Sequence, residues 1–180
     1  MLTIEVPDKE VFDEATSEFI PIKGFSLRLE HSLYAIAKWE SKWKKPFMGT
    51  NPKDQKTPEE MADYVRCMNE DDTISIAPSQ LTTEQWNAIS DYMNDTMTAT
   101  WFNDKAKPSR EIVTAEVVYY WMTALNIPFE CQYWHYNRLM TLIHVCSIKS
   151  QPPKKMSKGE TMRRNSALNA ARRKAHGTRG

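Results

Sequence analysis

The sequence predicts a mostly α-helical α+β protein. It comprises a small N-terminal β-hairpin, a helical body containing a buried antiparallel helical hairpin, and a basic C-terminal helical arm. Three observations lead there. Apolar and polar residues alternate near the N-terminus, capping signals and a 3.6-residue apolar period fill most of the remaining chain, and the charge is divided. Residues 1–150 hold fifteen basic and twenty-two acidic side chains, a net of −7, whereas residues 151–180 hold nine Lys or Arg and one Glu, a net of +8. The division predicts an acidic globular body over 1–150 and a Pro-Pro linker with a basic arm over 151–180.

Leu2-Thr3-Ile4-Glu5-Val6 alternates as a half-buried strand does, and Glu18-Phe19-Ile20-Pro21-Ile22 is its expected antiparallel partner, with Phe25, Leu27 and Leu29 extending the sheet. The period turns helical at about 31–44, where Leu33, Ile36, Ala37 and Trp43 recur. Thr57-Pro58-Glu59-Glu60 reads as a capping box with Pro at the first helical position, opening a helix over about 58–69. A short apolar piece, Ile74 to Ala77, precedes a second capped start at Thr82, whose helix runs to about Asn94. Ser109 is the expected cap of a helix from Arg110 to Asn126, apolar nearly all round and hence central, with Trp121 buried in it. Asn126-Ile127-Pro128 breaks it, and Phe129 to Ile148 returns as the second arm of the hairpin, with Leu139 in the seam. After Pro152-Pro153, Ser157-Lys158-Gly159-Glu160 caps the arm helix, and Gly177 ends it.

With 41% hydrophobic and 11% aromatic residues in 180, the chain can bury a core of its own, which excludes wholesale disorder. No apolar run reaches the ~18 residues of a membrane span, and no basic-then-apolar leader opens the sequence. Cys67, Cys131 and Cys146, odd in number and widely spaced, suit reduced thiols. The sequence holds no nucleophile elbow, phosphate-cradling glycine loop or Cys-x-x-Cys pair, so neither an enzyme, a cofactor nor a metal is expected. Cys131 and His135 share a helix face in this reading, and packing explains them better than zinc or nucleophilic chemistry. Glu116, set in an otherwise apolar helix, predicts a buried structural ion pair, with Arg138 or His135 on the next helix, or Arg66 or Arg28 elsewhere, as its partner, and Arg138 foremost.

Candidate partner-binding residues fall in two places. Trp39 and Trp43, one turn apart and interleaved with lysines, read either as core with snorkelling lysines or as an aromatic and basic binding stripe. Lys154, Lys155, Arg163, Arg164, Arg172 and Arg173 carry the charge of the arm. Charge alone does not choose among an acidic protein, the acidic body, nucleic acid and a solvated tail for the arm, whereas Glu40 and the acidic body weigh against phosphate binding by the tryptophan stripe.

Several strings carry a resemblance: Lys38-Trp39-Glu40-Ser41-Lys42-Trp43 with Lys45-Pro46-Phe47, Asp63-Tyr64-Val65-Arg66-Cys67-Met68, Met97-Thr98-Ala99-Thr100-Trp101-Phe102, Ile127-Pro128-Phe129-Glu130-Cys131-Gln132, and Arg163-Arg164-Asn165-Ser166-Ala167-Leu168-Asn169. Over most of its length the chain resembles a family of small tail-module proteins of long-tailed bacteriophages, among them tail assembly chaperones. The resemblance implies tail morphogenesis by protein binding, with the tape-measure and tail-tube proteins as partners, and self-association is compatible with it. It places the chain in the host cytoplasm during assembly. A structural virion component, such as a connector or tail-completion protein, is the alternative, and a nucleic-acid-binding module acting through the arm is another.

Overall fold

A computed structural model describes residues 1–13, 18–49, 51–71, 80–102, 112–151 and 157–177. The protein is a mostly helical α+β structure in two units, Met1–Ile148 and Lys149–Gly180.

The first unit opens on two nested antiparallel pairs. β1 (Leu2–Val6) pairs with β4 (Phe25–Leu29), and β2 (Lys9–Asp13) pairs with β3 (Glu18–Ile22). The sequence pattern joined Leu2–Val6 to Glu18–Ile22; the partner is instead Phe25–Leu29. Side-chain alternation explains the choice. With Leu2 opposite Leu29, Ile4 opposite Leu27 and Val6 opposite Phe25, the two apolar sets fall on one face, and Ile4, Val6, Leu27 and Leu29 are all buried. At the seam between the pairs, the Gly24 N–H donates to Asp8 Oδ1 at 2.5 Å, and a Cβ there would collide with the Val6 carbonyl.

The helices are α1 (Leu33–Trp43), α2 (Pro58–Met68), α3 (Thr83–Asn94), α4 (Ala115–Ala124) and α5 (Tyr136–Ser150). α2 and α3 start on reciprocal capping boxes, Thr57 with Glu60 and Thr82 with Gln85. The end of α2 runs on beside β4, with the Glu30 N–H donating to the Met68 carbonyl at 2.9 Å and the Glu70 N–H to the Arg28 carbonyl at 3.0 Å. These bonds seat the helical layer on the sheet, so one apolar core runs from Ile4 and Leu27 through Trp39 and Tyr64 to Val118, Met122 and Leu139.

Two expected helices are shorter than read. α4 begins at Ala115, and residues 112–114 before it are not helical; Ser109, the expected cap, lies outside the described residues. The second arm does not start at Phe129, because Phe129–Tyr133 forms a 3-10 turn and Trp134 is extended. The cause is a competing backbone pairing: Ser32 bridges His135, and the Tyr136 N–H donates to the His31 carbonyl at 2.6 Å. Cys131 and His135 therefore do not share a helix face. Nor do the two helices make a closed seam. The backbone of α4 approaches α1 rather than α5, and Trp121 is partly exposed while Leu139 is fully buried.

The second unit contains α6 (Lys158–His176), opened by a Ser157–Glu160 capping box and closed by Gly177 at φ 62°. None of its residues is buried. The expected Ile74 to Ala77 segment lies outside the described residues, and no described helix is long and apolar enough to cross a membrane.

Candidate functional site

Trp39 and Trp43 turn inward and clamp α1 to α2. Trp39 is fully buried, and its indole N–H donates to the Glu60 carbonyl at 2.8 Å; Trp43, half-buried, donates to Asp63 Oδ2 at 2.9 Å. The lysines are employed locally. Lys42 Nζ meets Asp63 Oδ1 at 2.5 Å, Lys45 Nζ meets Glu60 Oε1 at 2.5 Å, and Lys56 Nζ donates to the Phe47 carbonyl at 2.6 Å while lying over its ring at 4.2 Å. Burial tends to raise the Asp63 carboxyl, but hydrogen bonds from Lys42 and Trp43 and the charges of Lys42 and Arg66 hold it below its ordinary value. The tryptophans thus belong to the interior, and Trp39 in particular offers nothing to a partner.

The expected buried pair is also absent from the interior. Glu116 and Arg138 are both exposed, and Arg138 stacks over the Trp134 ring at 4.3 Å. On a helix that opens at Ala115, Glu116 falls in the first turn, where a carboxylate faces solvent and complements the helix dipole. The carboxylate that is buried beside α4 is Glu40. Its Oε1 accepts from the Phe47 N–H at 2.6 Å and its Oε2 from the Ala115 N–H at 2.7 Å. Burial raises its pKa, and those two hydrogen bonds oppose the rise.

A histidine–tyrosine network closes the other end of α1. His31 Nδ1 lies 2.5 Å from the Tyr64 hydroxyl, its ring centroid is 5.2 Å from that of His135, and His135 Nε2 is 2.9 Å from the Tyr92 carbonyl. The Tyr92 hydroxyl donates to Glu30 Oε1 at 2.7 Å, and the N-terminal ammonium meets Glu30 Oε2 at 2.9 Å. Burial, reinforced by the charge of His135, brings His31 down to about 3, so its ring is neutral at ordinary pH. Burial also pushes the Cys131 thiol above its ordinary value, the wrong direction for a nucleophile. Among the described residues, no group of three or more His, Cys, Asp or Glu is placed to hold a metal ion.

A groove of about 640 Å³ lies between α4 and α5. Trp121 and Ala124 of α4 and its C-cap residue Leu125 stand at i, i+3 and i+4; Met140, Ile143, His144 and Ser147 of α5 stand at i, i+3, i+4 and i+7, with Thr141 beside them. Each set is one helix face. Phe102 joins the lining and sits edge-on to His144, ring centroids 4.1 Å apart. The polar groups of this wall, Thr141, His144 and Ser147, all come from α5, so the groove is apolar on the α4 side and polar along one edge. Exposed aromatic surface elsewhere on the unit includes Trp101, 80% exposed, and Tyr120 on α4.

Sequence reasoning placed Trp121 in the core and so missed this site. The signal available was that α4 is apolar around nearly its whole circumference, more than one neighbouring helix can cover. Of the basic candidates, Arg163, Arg164, Arg172 and Arg173 lie exposed on α6, whereas Lys154 and Lys155 lie outside the described residues. No protein-family model, curated protein or solved structure matches the chain.

Proposed function

We propose that this protein works by protein binding in bacteriophage tail morphogenesis, as an assembly chaperone that covers amphipathic helices of the tape-measure protein. The observation that carries the proposal is the groove between α4 and α5. Its walls are an i, i+3, i+4 face ending α4 and an i, i+3, i+4, i+7 face of α5, the lining that receives the apolar stripe of a third helix. The α5 edge of Thr141, His144 and Ser147 matches the border of such a stripe, where polar residues begin. Holding the stripe keeps it from aggregating until tube subunits displace the chaperone. The phage setting itself rests on the resemblance of the sequence strings.

Co-expression of the full chain with helical tape-measure segments tests the reading. The segments stay soluble with the parent chain and precipitate with Leu125→Glu, which puts a charge in the groove wall. A chaperone leaves the finished particle, so mass spectrometry of purified virions finds none of this chain. Recovery at a ring-like stoichiometry favours a connector or tail-completion protein instead.

A further inference from the structure

His135 begins α5. Its carbonyl accepts the Leu139 N–H at 3.0 Å, the first bond inside that helix, and its ring Nδ1 accepts the Asn137 N–H at 3.3 Å. The second is the bond an N-cap side chain makes to the helix it opens, supplied here by an imidazole. The opposite ring nitrogen, Nε2, stands 2.9 Å from the Tyr92 carbonyl near the end of α3, and a carbonyl can only accept. Together the two bonds put the ring proton on Nε2 and leave Nδ1 a bare acceptor.

The ring is only 4% exposed, and the groups around it are neutral or engaged elsewhere. The Tyr92 ring of α3 stands edge-on at 4.9 Å. The His31 ring, 5.2 Å away, is held by the Tyr64 hydroxyl of α2 and flanked by Tyr136 of α5. Glu30 meets the Tyr92 hydroxyl and the N-terminal ammonium, and Asp95 accepts the Met97 N–H at 2.9 Å. In the 3-10 turn before His135, Glu130 is exposed and the buried Cys131 thiol is raised; on α5, Arg138 lies over Trp134. Among the described residues no carboxylate forms an ion pair with His135.

A further proton on this ring has one place to go, Nδ1. There it sets an N–H against the Asn137 N–H, which removes the cap, and puts a positive charge at the positive end of the helix dipole. His31 does not take the proton first, because burial holds it down to about 3. The effect reaches α3 through Asn137, whose side-chain Nδ2 donates to the Met93 carbonyl at 3.1 Å and the Asp95 carbonyl at 2.7 Å. We propose that His135 is a proton-operated cap, a switch at the junction of α5 with the end of α3. Neutral, it closes the first turn of α5 and steadies the Asn137 tie to α3; protonated, it releases that turn while the remainder of α5 stays helical.

The test is NMR of the full chain, labelled with ¹⁵N, between about pH 7.5 and about pH 5.5, the range in which histidine changes charge. Ring-nitrogen shifts report which nitrogen of His135 carries the proton, and amide exchange, corrected for its intrinsic pH dependence, reports the cap. The expected result is an Nε2–H ring at the upper pH and protonation of Nδ1 on acidification. In step with it, protection of the Asn137 and Leu139 amides falls by about fivefold, the equivalent of one lost cap. The Glu60 amide, capped by the Thr57 hydroxyl, which does not titrate, keeps its protection over the same range. His135→Asn caps through a carbonyl that takes no proton, so its Asn137 protection stays level; the parent measurements decide the question even if that variant does not fold. An Nδ1–H ring at the upper pH, a ring that stays neutral throughout, Asn137 protection that does not follow the ring, or the same loss in His135→Asn overturns the proposal.

Discussion

Glu40 reaches across the molecule to receive the backbone N–H of Ala115, 75 residues further along the chain, at 2.7 Å. Thr114, the residue before α4, makes no side-chain cap, so the first N–H of that helix is satisfied by a carboxylate from α1. The other oxygen of Glu40 holds the Phe47 N–H, which pins the turn after α1. One buried side chain thus fixes where α4 begins, and with it one wall of the groove.

Glu40→Gln therefore puts an amide NH₂ against one of two backbone donors. It is expected to cost about 1–3 kcal/mol of stability, the range for a buried hydrogen-bonding group left unmatched. Urea unfolding of parent and variant measures it, and midpoints that coincide contradict the capping role.

The caps that the sequence made legible are local. Thr57 with Glu60, Thr82 with Gln85 and Ser157 with Glu160 each form within four residues, so donor, acceptor and spacing are visible in a short string. Glu40 is illegible for the opposite reason, since its partner is distant and its neighbours Lys38 and Lys42 give it the look of a solvated face. The same neighbours are what set a binding stripe beside the core reading of Trp39 and Trp43. Lysines interleaved with tryptophan suggest surface, but here the Lys42 and Lys45 ammonium groups meet Asp63 and Glu60 of α2 over a buried indole. Strand pairing failed on a similar point, as alternation names the strands but not which of two apolar sets faces which.

Trp39 and Trp121 separate core from groove. Trp39→Ala is expected to cost about 3–5 kcal/mol, as large-to-small changes in a closed core do. Trp121→Ala is expected to cost clearly less, because its side chain is already partly in water. Equal losses in calorimetric melting contradict the groove assignment.

His31 gives the fold a defined acid response. Its folded-state value, about 3, lies below the ordinary 6.5, so the folded state binds fewer protons than the unfolded chain. The stability it contributes is complete above about pH 6.5 and is lost as pH falls toward about 3, at up to about 1.4 kcal/mol per pH unit for one proton. Between about pH 6.5 and pH 5, before carboxylates titrate, the parent is expected to lose stability faster than His31→Gln. Parallel pH profiles for the two contradict it.

A chain ending at Ser150 retains the whole first unit, Met1–Ile148, and removes α6. It is expected to unfold in one cooperative transition within a degree or two of the full chain. Loss of that transition on scanning calorimetry means that the arm is part of the core.

The most direct test of the groove as a helix-binding site is calorimetric titration of the full chain with a helical tape-measure segment at two temperatures. Saturable binding is expected, with a negative heat-capacity change, the mark of apolar burial. Met140→Glu is expected to abolish it, while Lys53→Glu, which is not in the groove lining, binds as the parent does. Absence of binding by the parent, or binding that Met140→Glu leaves intact, contradicts the assignment.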